Sequence, residues 1–338
     1  MRLISTRNGV SANSISEAIR VGLAGDGGLF IPDDFPEGQL SGLTAQTSLK
    51  ETAQALFEPF FKGDGLESVL PELIDETYDF DVPLVNPFPG RPGVFALELF
   101  HGPTGAFRDI GARFLMRCLD KMGDPNNPFT VLAATSGDTG GAAIEAFRGR
   151  DAVDVFILYP EGRVSDIQRM QMTTPTDANV HTLAINGTFD DCQALVKAMF
   201  NDSAFRQEVS LAGVNSINWA RLMPQIVYYF SAALELGAPQ QKVAFSVPTG
   251  NFGNVFAGYV AVQMGLPIER LIIASNQNDI LPRFFASGAM ARETVVPSLS
   301  PSMDIQVSSN FERLLFELLD RDGAATATVM QHFAETGQ

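Results

Sequence analysis

A parallel-sheet α/β fold, with two such domains around a cleft, is what the chain predicts. Short apolar segments alternate with helical ones from about residue 93 onward. Those segments are apolar throughout, as suits strands covered on both faces by helices. Glycine turns follow two of them, the usual junction between a strand and the helix that crosses back over the sheet. A proline-punctuated stretch from Pro83 to Gly93 marks a boundary, so the domains are read as 1–92, 93–210 and 211–338.

The first region is mixed. Ser14 to Leu23 has helical periodicity, Asp26 to Pro32 reads as a turn into a short extended piece, and a second helix spans about Leu49 to Phe61. Beyond the boundary, Val94–Phe100 is a strand candidate, followed by a helix over roughly Phe107–Met122. Next come a strand at Phe129–Ala134, a helix from Asp138, a strand at Val153–Tyr159 and a helix at Asp166–Thr173. A strand at Val180–Ile185 and a helix at Asp190–Asn201 complete this part. The last part has helices at Leu222–Leu236 and Val255–Met264 and strands at Val243–Val247 and Leu271–Ser275. A helical stretch from Phe311 to Glu335 ends it.

Composition narrows the function classes. With 338 residues, 45% of them hydrophobic, there is ample material for buried cores. The net charge of -16 leaves no basic stripe to neutralise phosphates, which argues against nucleic acid as a partner. No apolar run is long enough for a membrane span and Met1–Val10 lacks a signal-peptide core, so a cytoplasmic protein is expected. The two cysteines, Cys118 and Cys192, are too few for a disulfide framework or a cysteine-based zinc site, and Cys192 reads as core. The histidines, His101, His181 and His332, are too dispersed for an HExxH metal motif.

The chemistry sits in three segments. Thr135-Ser136-Gly137-Asp138-Thr139-Gly140-Gly141 and Pro248-Thr249-Gly250-Asn251-Phe252-Gly253-Asn254 each follow a strand and open a helix. Glycine lets the backbone approach a ligand closely, and the helix start presents unpaired amides to an anion. Neither matches a dinucleotide or P-loop pattern, and no lysine lies near either. The third segment is His101-Gly102-Pro103-Thr104-Gly105-Ala106-Phe107-Arg108-Asp109, with Glu98 upstream as a carboxylate that could pair with Arg108. Residue chemistry alone stops at an anion-binding α/β protein.

The run Leu97 to Thr104, then Ala106-Phe107 and Asp109, resembles the pyridoxal-lysine segment of bacterial and fungal threonine synthases. Ala134 to Gly140 is similar to their substrate loop, Val214-Asn215-Ser216-Ile217-Asn218 with Arg221 to a third block, and Val247 to Asn254 to their cofactor-phosphate loop. Gly25 to Pro32 matches the family's opening pattern. The resemblance implies the fold-type II, tryptophan-synthase-β-like architecture and pyridoxal phosphate as cofactor. It implies that Gly250, Asn251, Phe252, Gly253 and Asn254 bind the cofactor. Thr104, Ser136, Gly137, Asp138, Thr139 and Gly140 would hold the amino-acid end of the substrate, and Ser216, Asn218 and Arg221 its phosphate. The implied reaction turns O-phospho-L-homoserine and water into L-threonine and phosphate.

The chain departs from the family at two places. Arg108 stands at the position of the Schiff-base lysine, and a guanidinium is neither a nucleophile nor a base at neutral pH. Of the lysines, Lys50, Lys62, Lys121, Lys197 and Lys242, none lies in a motif. Lys121 would be about 20 Å away along the same helix. Family members also continue past the position of Gln338, into the segment expected to meet the pyridine nitrogen. The expectation is therefore an impaired threonine synthase with non-covalent cofactor, or a non-catalytic protein that binds pyridoxal phosphate or a phosphorylated amino acid. A lysine replaced by design is the third account of Arg108.

Overall fold

The computed structural model describes residues 1–38, 42–135, 137–212 and 215–338. The chain begins with β1 (Leu3–Ser5), β2 (Ser11–Ala12), α1 (Ile15–Val21) and β3 (Phe30–Pro32). Helices α2 (Leu49–Phe61) and α3 (Leu70–Thr77) precede β4 (Leu84–Val85) and β5 (Ala96–Leu97). The alternating part runs α4 (Arg108–Met122), β6 (Phe129–Ala134), α5 (Asp138–Phe147), β7 (Val153–Pro160), α6 (Asp166–Thr173) and β8 (Val180–Ile185). Then come α7 (Phe189–Asn201), α8 (Ser203–Glu208), β9 (Leu211–Ala212), α9 (Trp219–Leu222) and α10 (Pro224–Glu235). The remainder is β10 (Val243–Pro248), α11 (Gly253–Gln263), β11 (Ile268–Ala274), α12 (Ile280–Ser287), α13 (Phe311–Leu318) and α14 (Gly323–Thr336).

Two compact units emerge. The first comprises Met1–Ala18, Gly22–Asp64 and Ser216–Gln338; the second comprises Ile19–Val21 and Gly65–Asn215. Residues 65–92 thus pack with the strand–helix repeat that follows them rather than with the N-terminal strands.

In the second unit, four parallel strands lie in the order β8-β7-β6-β9. Leu132, Leu158, Val196, Leu211 and Cys192 form a buried cluster under α7, so Cys192 is core as expected. The chain steps outward from β6 to β7 to β8 and then returns to place β9 on the other side of β6. That reversal makes the carboxyl end of β6 the place where an α/β sheet opens for a ligand. Thr188 and Asp191 start α7 with a reciprocal capping box, as Ser48 and Glu51 do for α2 in the first unit.

Val94–Phe100 does not form the expected parallel strand. Only Ala96–Leu97 pairs, antiparallel to Leu84–Val85, and Val94, Phe95 and Phe100 are exposed. Pro87, Pro89 and Pro92 turn the chain back on itself through the bonds Arg91 N–H to Phe88 O and Val94 N–H to Arg91 O. The segment therefore meets its own upstream neighbour instead of the sheet.

In the first unit, β2-β1-β3 is a small antiparallel sheet and β10 pairs in parallel with β11. The expected single helical stretch from Phe311 is two helices, because Asp320 and Arg321 take positive φ between them and Asp322 caps α14. None of the helices among the described residues is long and apolar enough to cross a membrane.

Candidate functional site

The loop after β10 is built by its carbonyls. Gly250 O accepts from Ser308 Oγ at 2.7 Å, and Asn251 O accepts from both Asn310 N and Asn310 Nδ2 at 3.0 Å. In a trans peptide the N–H points opposite to the C=O. The amides of Asn251 and Phe252 are therefore turned away from the 308–310 segment. Gly253 and Asn254 add the first amides of α11, which have no intrahelical carbonyl to reach. Phe252 makes the turn possible with a left-handed φ of 66°, and burial against Phe285 and Phe311 offsets the strain. A Cβ at Gly250 would lie 3.2 Å from Ser302 O, a tight contact that needs a shift of a few tenths of an ångström. This set of outward amides has the chemistry of an anion cradle.

The side chain of Asn254 is held at its oxygen end. Its Oδ1 accepts from Tyr228 at 2.6 Å and lies 2.9 Å from the Tyr229 hydroxyl, leaving its main-chain amide and Nδ2 for a ligand. Burial pushes the Tyr229 phenol far above its ordinary range, so it stays a donor.

The structure brings the block at Ser216–Arg221 beside this loop. Asn310 Nδ2 donates to Ser216 O at 3.2 Å as well as to Asn251 O. Asn218 is buried and caps α9, with Oδ1 accepting from Ala220 N at 3.0 Å. Arg221 is buried one turn later, and its carbonyl accepts from Gln225 Nε2. Ser308, Ser309, Asn310 and Arg313, which the sequence reading passed over, are the hub. Their signal was a polar trio directly before an apolar helix, the ordinary mark of a helix start.

In the second unit, Thr104 and Asp109 form a clamp. Asp109, nearly fully buried, accepts from Thr104 N at 2.9 Å and Thr104 Oγ1 at 2.6 Å. A Cβ at Gly102 would strike the same carboxylate, which fixes glycine there. The clamp sets Arg108 at the first position of α4, half-buried, with its guanidinium carbon 5.1 Å from the Phe107 ring centroid. Glu98 does not pair with Arg108; it bonds His101 Nε2 at 2.7 Å, and His101 stacks on Phe100. Lys121 lies at the far end of α4 and is bonded to Glu72.

The turn after β6 spends its amides inward. Thr135 Oγ1 accepts from Gly137 N and Gly140 N, both at 2.9 Å. Gly137 has a φ of 142° and a Cβ there would enter Gln168, while one at Gly140 would lie 2.6 Å from Met172 Sδ. Both glycines are required, yet by the fold. The amides of Asp138 and Thr139, first in α5, remain without intrahelical partners. Ser136 lies outside the described residues.

Two family models cover the chain. Residues 2–78 match "Threonine synthase N terminus" and residues 80–334 match "Pyridoxal-phosphate dependent enzyme". The chain belongs to the threonine synthase family. It is 49% identical over 343 residues to threonine synthase of Pseudomonas aeruginosa, covering all of this chain and 73% of that protein. It is 46% identical over 327 residues to that of Saccharomyces cerevisiae, covering 90% of this chain and 64% of the relative. Among solved structures, a pyridoxal-phosphate-bound threonine synthase from Brucella melitensis superposes with a TM-score of 0.94 at 52% identity. That match covers 100% of this chain and 74% of the other. Yeast threonine synthase gives 0.88 at 42% identity, covering 99% and 71%. The chain thus spans between 64% and 74% of the length of these relatives.

The fold is accordingly fold-type II, and pyridoxal phosphate is the cofactor of this threonine synthase family member. The residues present fit its phosphate, because the loop at 250–254 offers main-chain donors and, at Gly250, a position where a Cβ would be tight. They do not fit covalent attachment at residue 108, because a guanidinium offers no free amine.

Proposed function

We propose that the chain carries the residues of threonine synthase chemistry, the conversion of O-phospho-L-homoserine and water to L-threonine and phosphate. In this reading Arg108 occupies the lysine position and the conversion is impaired or lost. The observation that carries the reading is an intact anion cradle at Gly250–Asn254 in a chain whose clamped α4 start holds a guanidinium. When bound, pyridoxal phosphate supplies an electron sink for charge developing on the substrate. Gly250, Asn251, Phe252, Gly253 and Asn254 hold its phosphate, mainly through N–H groups. Thr139 and its neighbours Ser136, Gly137, Asp138 and Gly140, with Thr104, orient the amino-acid end of the substrate. Ser216, Asn218 and Arg221 receive its phosphate. Arg108 can donate hydrogen bonds but cannot accept or shuttle a proton near neutral pH.

The second reading, a non-catalytic protein that binds pyridoxal phosphate or a phosphorylated amino acid, draws support from the same cradle, since main-chain donors do not depend on residue 108. Phosphate release from O-phospho-L-homoserine, measured with added pyridoxal phosphate, separates the two. The parent is expected at background. Arg108→Lys is expected to gain visible absorbance, a borohydride-fixed cofactor on residue 108 and slow turnover. A parent that matches the turnover of Arg108→Lys overturns the impairment. A variant that fixes no cofactor favours the binding protein.

A further inference from the structure

The bonds around α13 form a chain of fixed donors and acceptors. Arg313 is fully buried, at 0% exposure. Its Nε and Nη2 donate to Phe30 O at 3.0 and 2.9 Å, Nη2 also to Ile217 O at 2.5 Å, and Nη1 to Asn310 Oδ1. Burial pushes the guanidinium down to about 9, which leaves it a cation at neutral pH. Its neighbour Glu312 is held by Arg7 and by Thr6 Oγ1 at 2.6 Å, so the start of α13 is anchored on both sides.

A guanidinium has donors only, and an Asn amide has one oxygen end and one nitrogen end. Arg313 can therefore hold only the oxygen end of Asn310. The nitrogen end is left facing Asn251 O and Ser216 O, and Nδ2 has two hydrogens for these two acceptors. The second contact lies in the block that precedes α9, and the first is the carbonyl whose direction turns the Phe252 amide outward.

We infer that Asn310, oriented by Arg313, is the positioning residue that keeps the amides of the 250–254 loop aimed at an anion and couples that loop to the Ser216–Arg221 block. Neither residue touches the ligand. The inference rests on the functional reading above, in which that loop holds a phosphate, and goes beyond it by naming the residues that preorganise the loop.

The test compares Asn310→Ala, Arg313→Lys and Phe333→Leu with the parent. Phe333 lies in α14 under Arg292, takes no part in the bonds of Asn310 and Arg313, and serves as a control for general destabilisation. Arg313→Lys keeps the charge and loses the fork, so weaker anion binding in it cannot come from net charge. Affinities for pyridoxal phosphate and for inorganic phosphate are measured by calorimetry. Both Asn310→Ala and Arg313→Lys are expected to bind each probe about tenfold more weakly or worse, a loss on the scale of one or two hydrogen bonds. Phe333→Leu is expected to bind as the parent does. Trp219, the one tryptophan of the chain, lies 5.7 Å from the Arg313 guanidinium, and its emission is expected to shift in Arg313→Lys. Amide exchange over residues 250–255 and 216–218 gives a readout that needs no ligand and should quicken in both loop variants only. A parent that binds neither probe would sink the functional reading while exchange still judges the positioning. Parent-like affinity, or exchange unchanged at 250–255 in Asn310→Ala, overturns the inference.

Discussion

The turn after β6 and the loop after β10 share one plan, a parallel strand, glycines and a helix start, yet they use their peptide groups in opposite ways. At Thr135–Gly140 two amides turn inward onto a threonine hydroxyl, so the glycines serve the backbone. At Gly250–Asn254 it is the carbonyls that are tied down, by Ser308 and Asn310, and the amides face outward. A glycine turn thus does not by itself turn its amides toward a ligand. What decides is which half of each peptide the surrounding protein satisfies.

The sharpest way to break this contrast is substitution at the glycines. Gly137→Ala places a side chain on a φ of 142° and into Gln168, and should cost about 3 kcal/mol or more of stability. Gly250→Ala meets Ser302 O at 3.2 Å with an ordinary φ, so it should unfold little while weakening pyridoxal phosphate binding. Thermal melting and a binding titration on each variant separate the two effects. Equal losses of stability at both positions would erase the distinction. A middle-sized effect is expected from Thr135→Val, which keeps shape but strands two buried amides, at about 2 kcal/mol. Its phosphate affinity should not change, and a loss there would show that the first turn also serves the anion.

The smallest effect should be the same in both units. The Ser48 and Thr188 capping bonds hold the Glu51 and Asp191 carboxyls below their ordinary values. For a depressed carboxyl, the stabilisation is present above the unfolded pKa and is lost as pH falls through the lower, folded one. The protection of amides at the starts of α2 and α7, taken relative to the intrinsic exchange rate at each pH, should therefore fall together below about pH 4. Protection unchanged at both starts under acid would count against the caps.

Most helices and three strands of the four-stranded sheet, β6, β7 and β8, were legible from periodicity, because each is a local pattern with its own start and stop. The two-residue β9 carries no such pattern and was not expected. Leu49–Phe61, Phe129–Ala134, Asp166–Thr173 and Val180–Ile185 match their expected bounds residue for residue. The sites were legible as motifs and not as geometry. Nothing local to Gly250–Asn254 says that its carbonyls are claimed by residues 308–310, some sixty positions later. Nor does Val94–Phe100 announce that the prolines before it will fold it back. Asn310 and Arg313 were hidden for the same reason, since their partners, Phe30, Ser216, Ile217 and Asn251, come from three distant stretches of chain.

The cradle after β10 is made of peptide N–H groups, and of all the substitutions a codon can make only one, to proline, deletes such a group. A primary amine on a side chain is the opposite kind of part, gone in one substitution. A protein assembled from both is unevenly exposed to substitution: most single changes leave the grip on the phosphate, while any change at the amine's position removes the amine. Holding a cofactor and reacting through it are therefore separable properties of such a chain.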